Sequence, residues 1–404
     1  FQFTANTFTA LAGSGVVIPD SGLTLGSTAV TTTTAELNLI DGGTARGTTA
    51  LASGDGILIN DGGTMRMTNV DTVQTFMQSG LSSTLASSTD VSMDITNFVD
   101  GLLIQPNSDG SAPTTGTLST ATGNTGIGSS VFTALTSADY NTAFGYNAMA
   151  AVTTGSNNIA IGKAALDTCT TSVSNVAVGN GAGTAVTTGN GENVFVGNNS
   201  GAGVTTGQQN IILGDNACAN GTMTGNLNVI IGDNAGLVNT TGANNVGVGG
   251  AALGANTTGA ENVAVGTYAL DANTTPSNMT ALGYAALSSN TTGTSNVAVG
   301  SHSLAATTTG GSNTAVGKEA GQSNTTGGDN TAIGRSALKV NTTASNNTAV
   351  GKSALEDNTS AANNTAVCMN ALMNATTGGT NTAVGQGAYG SNTTGTESVA
   401  IGYL

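Results

Sequence analysis

The chain has 404 residues, of which 60 are Gly, 14 are aromatic and none is Trp; 22 acids against 7 bases give a net charge of −15. Charged residues make up 7% of it, far below the roughly 25% of an ordinary soluble domain. The acidic balance argues against nucleic acid and anionic membrane as partners, which need a basic footprint, and a single imidazole, His302, excludes a multi-His metal site within one chain. Cys169, Cys218 and Cys368 are too few and too far apart for a disulfide framework and read as small buried hydrophobes. No apolar run reaches the roughly 20 residues that span a bilayer, so membrane insertion is not expected. A basic, apolar leader is not visible, and the start at Phe1 reads as a processed or excised chain.

Residues 1–123 carry no regular period and hold ten acids against two bases. Gly54 to Gly63 reads as a strand between turns, Asn69 to Gln78 as one short helix, and Gly101 to Pro106 as a strand that Pro ends. Ser108 to Gly123 is a link rich in Ser, Thr, Gly and Pro. The division expected is a β-rich module with a helix over 1–80, a β and linker segment over 81–123, and a repeat region over 124–404.

From residue 124 the phrase Asn-Thr/Val-Ala-Val/Ile-Gly recurs, and its final Gly serves as an anchor. Anchors fall at Gly128, Gly145, Gly162, Gly179, Gly197, Gly214, Gly232, Gly249, Gly266, Gly283, Gly300, Gly317, Gly334, Gly351, Gly385 and Gly402, with Cys368 in the place of one more. Fourteen of the sixteen intervals are 17 residues and two are 18. Such a register specifies a solenoid or array.

Position −4 relative to the anchor is Asn in 15 of 17 copies, with Met279 and Ser398 as exceptions. Position −3 is always β-branched, −2 is usually Ala, and −1 is always a larger apolar residue. Alternation over −3 to −1 is the signature of a short strand. The expectation is that −1 residues such as Val265, Val299, Val316, Ile333 and Val350 form the structural core, and that the Ala column is an outer face which three rolls packed around an axis would bury. The anchor Gly ends the strand at a bend that a side chain would crowd. After it, Ala-Leu reads as a second, weaker strand and Asn-Thr-Thr-Gly as a turn. Seventeen residues leave no room for a helix. The fold class expected is all-β, a parallel β-roll or solenoid with one coil per repeat and Asn ladders along it.

Position −2 is large at Phe195, Ile212 and Ile230, where +4, usually Leu, becomes Gly201, Cys218 and Gly236. The exchange reads as volume compensation between −2 and +4, although Gly183 and Gly321 have no large residue at their own −2.

The phrases Ser398-Val399-Ala400-Ile401-Gly402, Asn262-Val263-Ala264-Val265-Gly266 and Asn330-Thr331-Ala332-Ile333-Gly334 resemble the head repeats of trimeric autotransporter adhesins. The fuller unit, with Ala-Leu and Asn-Thr-Thr-Gly, is more similar to repeats of bacteriophage tail-fibre proteins. Thr31 to Gly42, which contains Thr34-Ala35-Glu36-Leu37-Asn38, resembles a phrase of phage fibre shafts. The resemblance implies a homotrimer and a structural fibre on a virion tail, with other tail proteins and a host-surface glycan or protein as partners. A bacterial surface adhesin is the alternative, and an ice-binding solenoid the third reading.

The residues offer little chemistry. His302 lacks a partner set for acid–base work and reads as a solvated side chain, and Glu356 and Asp357 adjoin without a cleft. Asp215 and Asp233 stack as a solvated pair rather than a cation site. Neither a catalytic mechanism nor a cofactor is expected. The varied +1 column is the candidate receptor-contact surface: Tyr146, Lys163, Tyr284, Lys318, Arg335 and Lys352. Lys318, Arg335 and Lys352 fall on three consecutive coils and suit an anionic glycan, or serve only solubility. Lys339 is expected to pair with Glu356.

Overall fold

The computed structural model describes residues 2–4, 7–9, 24–25, 28–29, 56–61, 64–80, 91–95, 97–106 and 112–403. The chain divides into two units, Phe1–Ser82 and Ser83–Leu404. The shaft-like phrase at residues 31–42 lies outside the described residues.

Among the described residues of the first unit there are three antiparallel pairs. They are β1 (Gln2–Thr4) with β2 (Thr7–Thr9), β3 (Thr24–Leu25) with β4 (Thr28–Ala29), and β5 (Gly56–Asp61) with β6 (Thr64–Asn69). Helix α1 (Val70–Gly80) follows β6 directly. Asn69 makes that switch possible: its Oδ1 accepts from the backbone N–H of Thr72 at 2.7 Å and from the Thr72 hydroxyl at 2.6 Å. This is an N-cap, and Asp71 adds a negative charge to the first turn.

The second unit is a β-solenoid. Its strands β10 (Thr125–Ile127) to β26 (Val399–Ile401) are seventeen three-residue segments, each paired in parallel and in register with the next. Sixteen steps of about 4.8 Å make a stack roughly 77 Å long. Within the segment 81–123, where a strand is expected over Gly101 to Pro106, further strands join this stack at its first coil. β7 (Val91–Ile95) runs antiparallel to β8 (Phe98–Ile104), and β8 pairs in parallel with both β9 (Ala121–Thr122) and β10. The irregular coil at this end hides Phe98 and Leu103 in its core.

Two expectations are corrected. Ala-Leu is not a second strand. Positions +2 and +4 are both left-handed in most coils, as at Ala251 (φ 54°) and Leu253 (φ 57°), so the chain turns tightly where a strand would run on. A left-handed non-Gly residue costs about 1–2 kcal/mol. The geometry offsets this by hydrogen-bonding successive N–H groups in different directions. Ala251 donates to Asp233 in the coil before, Ala252 to Gly249 in its own coil, and Leu253 to Ala269 in the coil after.

The core is also inverted relative to expectation. The Ala of −2 points inward: Ala264, Ala298, Ala315 and Ala349 are all fully buried. Val265, Val316 and Ile333, expected as core, are exposed at 38%, 37% and 39%, and Val299 and Val350 are half-buried on the same outer face. The coil is too narrow for anything larger at −2 unless its opposite wall gives way. That wall is +4, where Leu253, Leu270, Leu287 and Leu338 fill the space.

The volume exchange read from sequence has a direct cause. A Cβ on Gly236 would lie 3.2 Å from Ile230 Cγ2, and the Phe195 ring occupies the side-chain space of Gly201. Gly183 does have a large partner, in the next coil: its Cβ would lie 2.8 Å from Phe195 Cδ2. Gly321 likewise yields to Leu304, one coil before. At the first coil the exchange runs the other way, with Phe132 at +4 filling the space above Gly126 at −2.

Anchor glycines are demanded twice over. Gly300 has φ 129°, and a Cβ there would lie 2.6 Å from the carbonyl oxygen of Gly317. One Asn column runs almost the whole stack, and a second, beginning at Asn239, joins it in the later coils; both tie a coil to its neighbours. Asn141 Nδ2 donates to Asn124 Oδ1 in the coil before (3.0 Å) and to Gly155 O at the far end of its own coil (2.9 Å). The second column sits at +7, where Asn273 Nδ2 donates to Asn256 Oδ1 at 3.0 Å and Asn358 Nδ2 to Asn341 Oδ1 at 3.0 Å. A Thr column at +8 adds side-chain bonds to the next carbonyl, such as Thr325 Oγ1 to Thr342 O at 2.8 Å. Buried amides in a core this thin are tolerable because they are paired.

Candidate interaction surfaces

Two outward surfaces follow from the coil. The first is the sheet face made by −3 and −1. Every one of its positions from Thr125 to Ile401 is Val, Ile, Leu, Phe or Thr. Parallel sheets are ordinarily covered on both faces. Here the inner face is covered by the opposite wall, and the outer face is open in the single chain. It measures about 77 Å by roughly 10 Å, on the order of 800 Å², against the 300–600 Å² of the largest patch on a typical monomer.

The second surface is the corner after the anchor. All six expected contact residues lie exposed there: Tyr146, Lys163, Tyr284, Lys318, Arg335 and Lys352. Tyr146 and Lys163 occupy coils remote from the other four. Lys318 Nζ lies 3.3 Å from Glu319 Oε1, and Lys339 Nζ donates to Glu319 Oε2 at 2.8 Å. The two ammonium groups, Lys339 above all, hold the Glu319 carboxyl below its usual range. Lys339 therefore pairs with Glu319 rather than with Glu356. Glu319, left-handed at +2, thus bridges Lys318 of its own coil and Lys339 of the following one. Among the described residues, Arg335 and Lys352 have no ion-pair partner.

Sequence reading missed an aromatic group at the same corner. Tyr268 and Tyr284 meet edge to face with centroids 6.1 Å apart, and Tyr284 meets His302 at 5.2 Å. His302 is not merely solvated: it is half-buried, and its Nδ1 lies 3.0 Å from Ser301 Oγ. Tyr268 and His302 stand at +2 and Tyr284 at +1, so the group is invisible when columns are read one at a time. The left-handed +2 residue swings its side chain beside +1 of a neighbouring coil.

Asp215 Oδ1 accepts from Asn198 Nδ2 at 2.8 Å and its Oδ2 from Asn216 Nδ2 at 2.9 Å, while Asp233 accepts from Asn234 at 3.0 Å. Their carboxylates face amides rather than each other. Among the described residues no three of His, Cys, Asp and Glu gather as a metal site needs, and no helix is long and apolar enough to cross a membrane. Cys169 and Cys218 are buried, and burial pushes their thiols up to about 11 and about 12. Cys368, in an anchor position, is exposed instead, because an anchor lies at the outer corner of its coil.

Compared with protein-family models, curated proteins and solved structures, the chain matches none.

Proposed function

We propose that this chain is a structural fibre segment of a phage tail that assembles as a homotrimer and serves attachment to a host surface. The observation that carries the reading is the unbroken outer face of Val, Ile, Leu, Phe and Thr, which repeats at every coil beside an interior closed by buried Ala and ladders of paired Asn. A rod with one flat apolar face and otherwise polar corners suits packing of identical rods side by side. Three copies in parallel would turn their −1 columns toward a common axis and leave the +1 corners available. The Ala column has no part in this assembly, because it is already inside each coil. Such a fibre works by length, stiffness and repeated contact rather than by bond-making chemistry.

Two features weigh against an ice-binding solenoid. The +8 Thr hydroxyls donate to neighbouring carbonyls, as Thr257 does to Thr274 O at 3.1 Å. The −3 Thr share their face with bulky −1 residues rather than with a second Thr rank.

Gold-labelled antibody to the chain, applied to the sample that yields the sequence, tests the reading. Label on virion tails is the expected result. Label on bacterial envelopes would replace it with a cell-surface adhesin, and label on neither would remove both.

A further inference from the structure

Six consecutive coils, from the Gly266 coil to the Gly351 coil, carry a strip that differs from the rest of the corner. Its first half is aromatic. Tyr268, Tyr284 and His302 come from three successive coils, touch edge to face, and leave both tyrosines about half exposed. Its second half is basic, with Lys318, Arg335 and Lys352 at one per coil. Four of the seven bases of a chain of net charge −15 fall between Lys318 and Lys352. Glu319 offsets part of Lys318 and Lys339, and Asp329, five residues before the Gly334 anchor, is exposed.

We propose that this strip binds an acidic polysaccharide lying along the rod. The inference rests on the attachment reading only for its biological setting. Exposed aromatic rings offer apolar faces to the C–H faces of sugar rings, with their polar edges toward water. Arg335 pairs with carboxylates in a planar, two-pronged manner, and Lys352 adds a compact charge. The coil step of about 4.8 Å is close to the length of one pyranose in an extended chain, so successive sugars would meet successive coils. A neutral glycan would use the aromatic half and leave the cations idle. Single-stranded nucleic acid, which also combines stacking with basic contacts, is the competing occupant that the oligothymidylate comparison below tests.

The test uses the full 404-residue chain and fluorescent oligogalacturonate, with neutral dextran oligomers and oligothymidylate as comparisons. Oligogalacturonate should bind saturably, weaken with salt, and bind in preference to both comparisons. Tyr284→Ala should weaken it about tenfold, and the pair Arg335→Gln with Lys352→Gln by at least as much. Tyr146→Ala, on a remote coil, should leave it unchanged. All these side chains are on the outer surface, and unchanged circular dichroism checks each fold. Absent uronate binding, binding indifferent to Tyr284→Ala and the double change, or tighter binding of either comparison would overturn the proposal. Antibody label on virion tails without uronate binding would sink this inference and leave the fibre reading standing.

Discussion

Phe195 fills the volume that side chains at Gly183 and Gly201 would need, so one ring serves two coils. Removing it in Phe195→Ala should leave a cavity and cost about 3–5 kcal/mol. Adding Gly201→Leu to that variant restores the Ala-and-Leu pairing of other coils and should recover part of the loss. Gly201→Leu alone should overpack the coil and destabilise it. A urea-denaturation double-mutant cycle reads the coupling. Independent effects of the two changes would refute the shared space.

Asn290 Oδ1 and Thr307 Oγ1 are buried side-chain atoms without hydrogen-bond partners, and they are neighbours in the +7 column. Thr307 interrupts the Asn ladder there. Thr307→Asn would supply Nδ2 to Asn290 and Oδ1 to Asn324, and should stabilise the protein by about 1 kcal/mol. Amide hydrogen exchange should slow most in the coils around 290 and 324, since solenoid stability is set between neighbours.

Ala332 and Ile333 adjoin in one strand but face opposite ways, Ala332 inward and Ile333 outward. Ala332→Val should strain the coil by about 1–3 kcal/mol. Ile333→Lys should leave the coil's circular dichroism intact while lowering the solution mass. If Ala332→Val changed the mass without changing the fold, the assignment of faces would be wrong.

Thiol labelling separates the three cysteines. At pH 8 the exposed Cys368 should react with a thiol reagent in the native protein, and the buried, protonated Cys169 and Cys218 only after unfolding. Their raised values also set a sign. The neutral thiols favour the fold below about pH 9, and this contribution is lost as pH rises toward about 11 and about 12.

Burial raises the Asp167 carboxyl above its ordinary range, and its Oδ1 has no partner. A raised carboxyl favours folding only while protonated, so the ionised form opposes folding at neutral pH. Asp167→Asn should therefore raise the melting temperature at pH 7. That advantage should shrink on acidification through the ordinary carboxylate range, where the native side chain also becomes neutral. A constant difference between pH 3 and pH 7 would contradict this.

Register, coil length and the Asn columns were legible because each is a local pattern repeated many times. The helix after Asn69 was legible for the same local reason, a cap beside an apolar period. The direction of the faces was not. Val265 is larger and more apolar than Ala264, and hydrophobicity alone points the larger residue inward. Wall separation decides otherwise, and a single coil's sequence does not display it. The aromatic group at Tyr268, Tyr284 and His302 was hidden because it depends on left-handed residues at +2, which column statistics do not reveal.

Solution mass by sedimentation of the 404-residue chain, beside Ile333→Lys, tests the central claim most directly. The account predicts a mass three times 39.0 kDa for the native chain and a lower mass for the variant. A stable native monomer of 39.0 kDa would contradict it, because the outer −1 column would then be left open to water along its whole length.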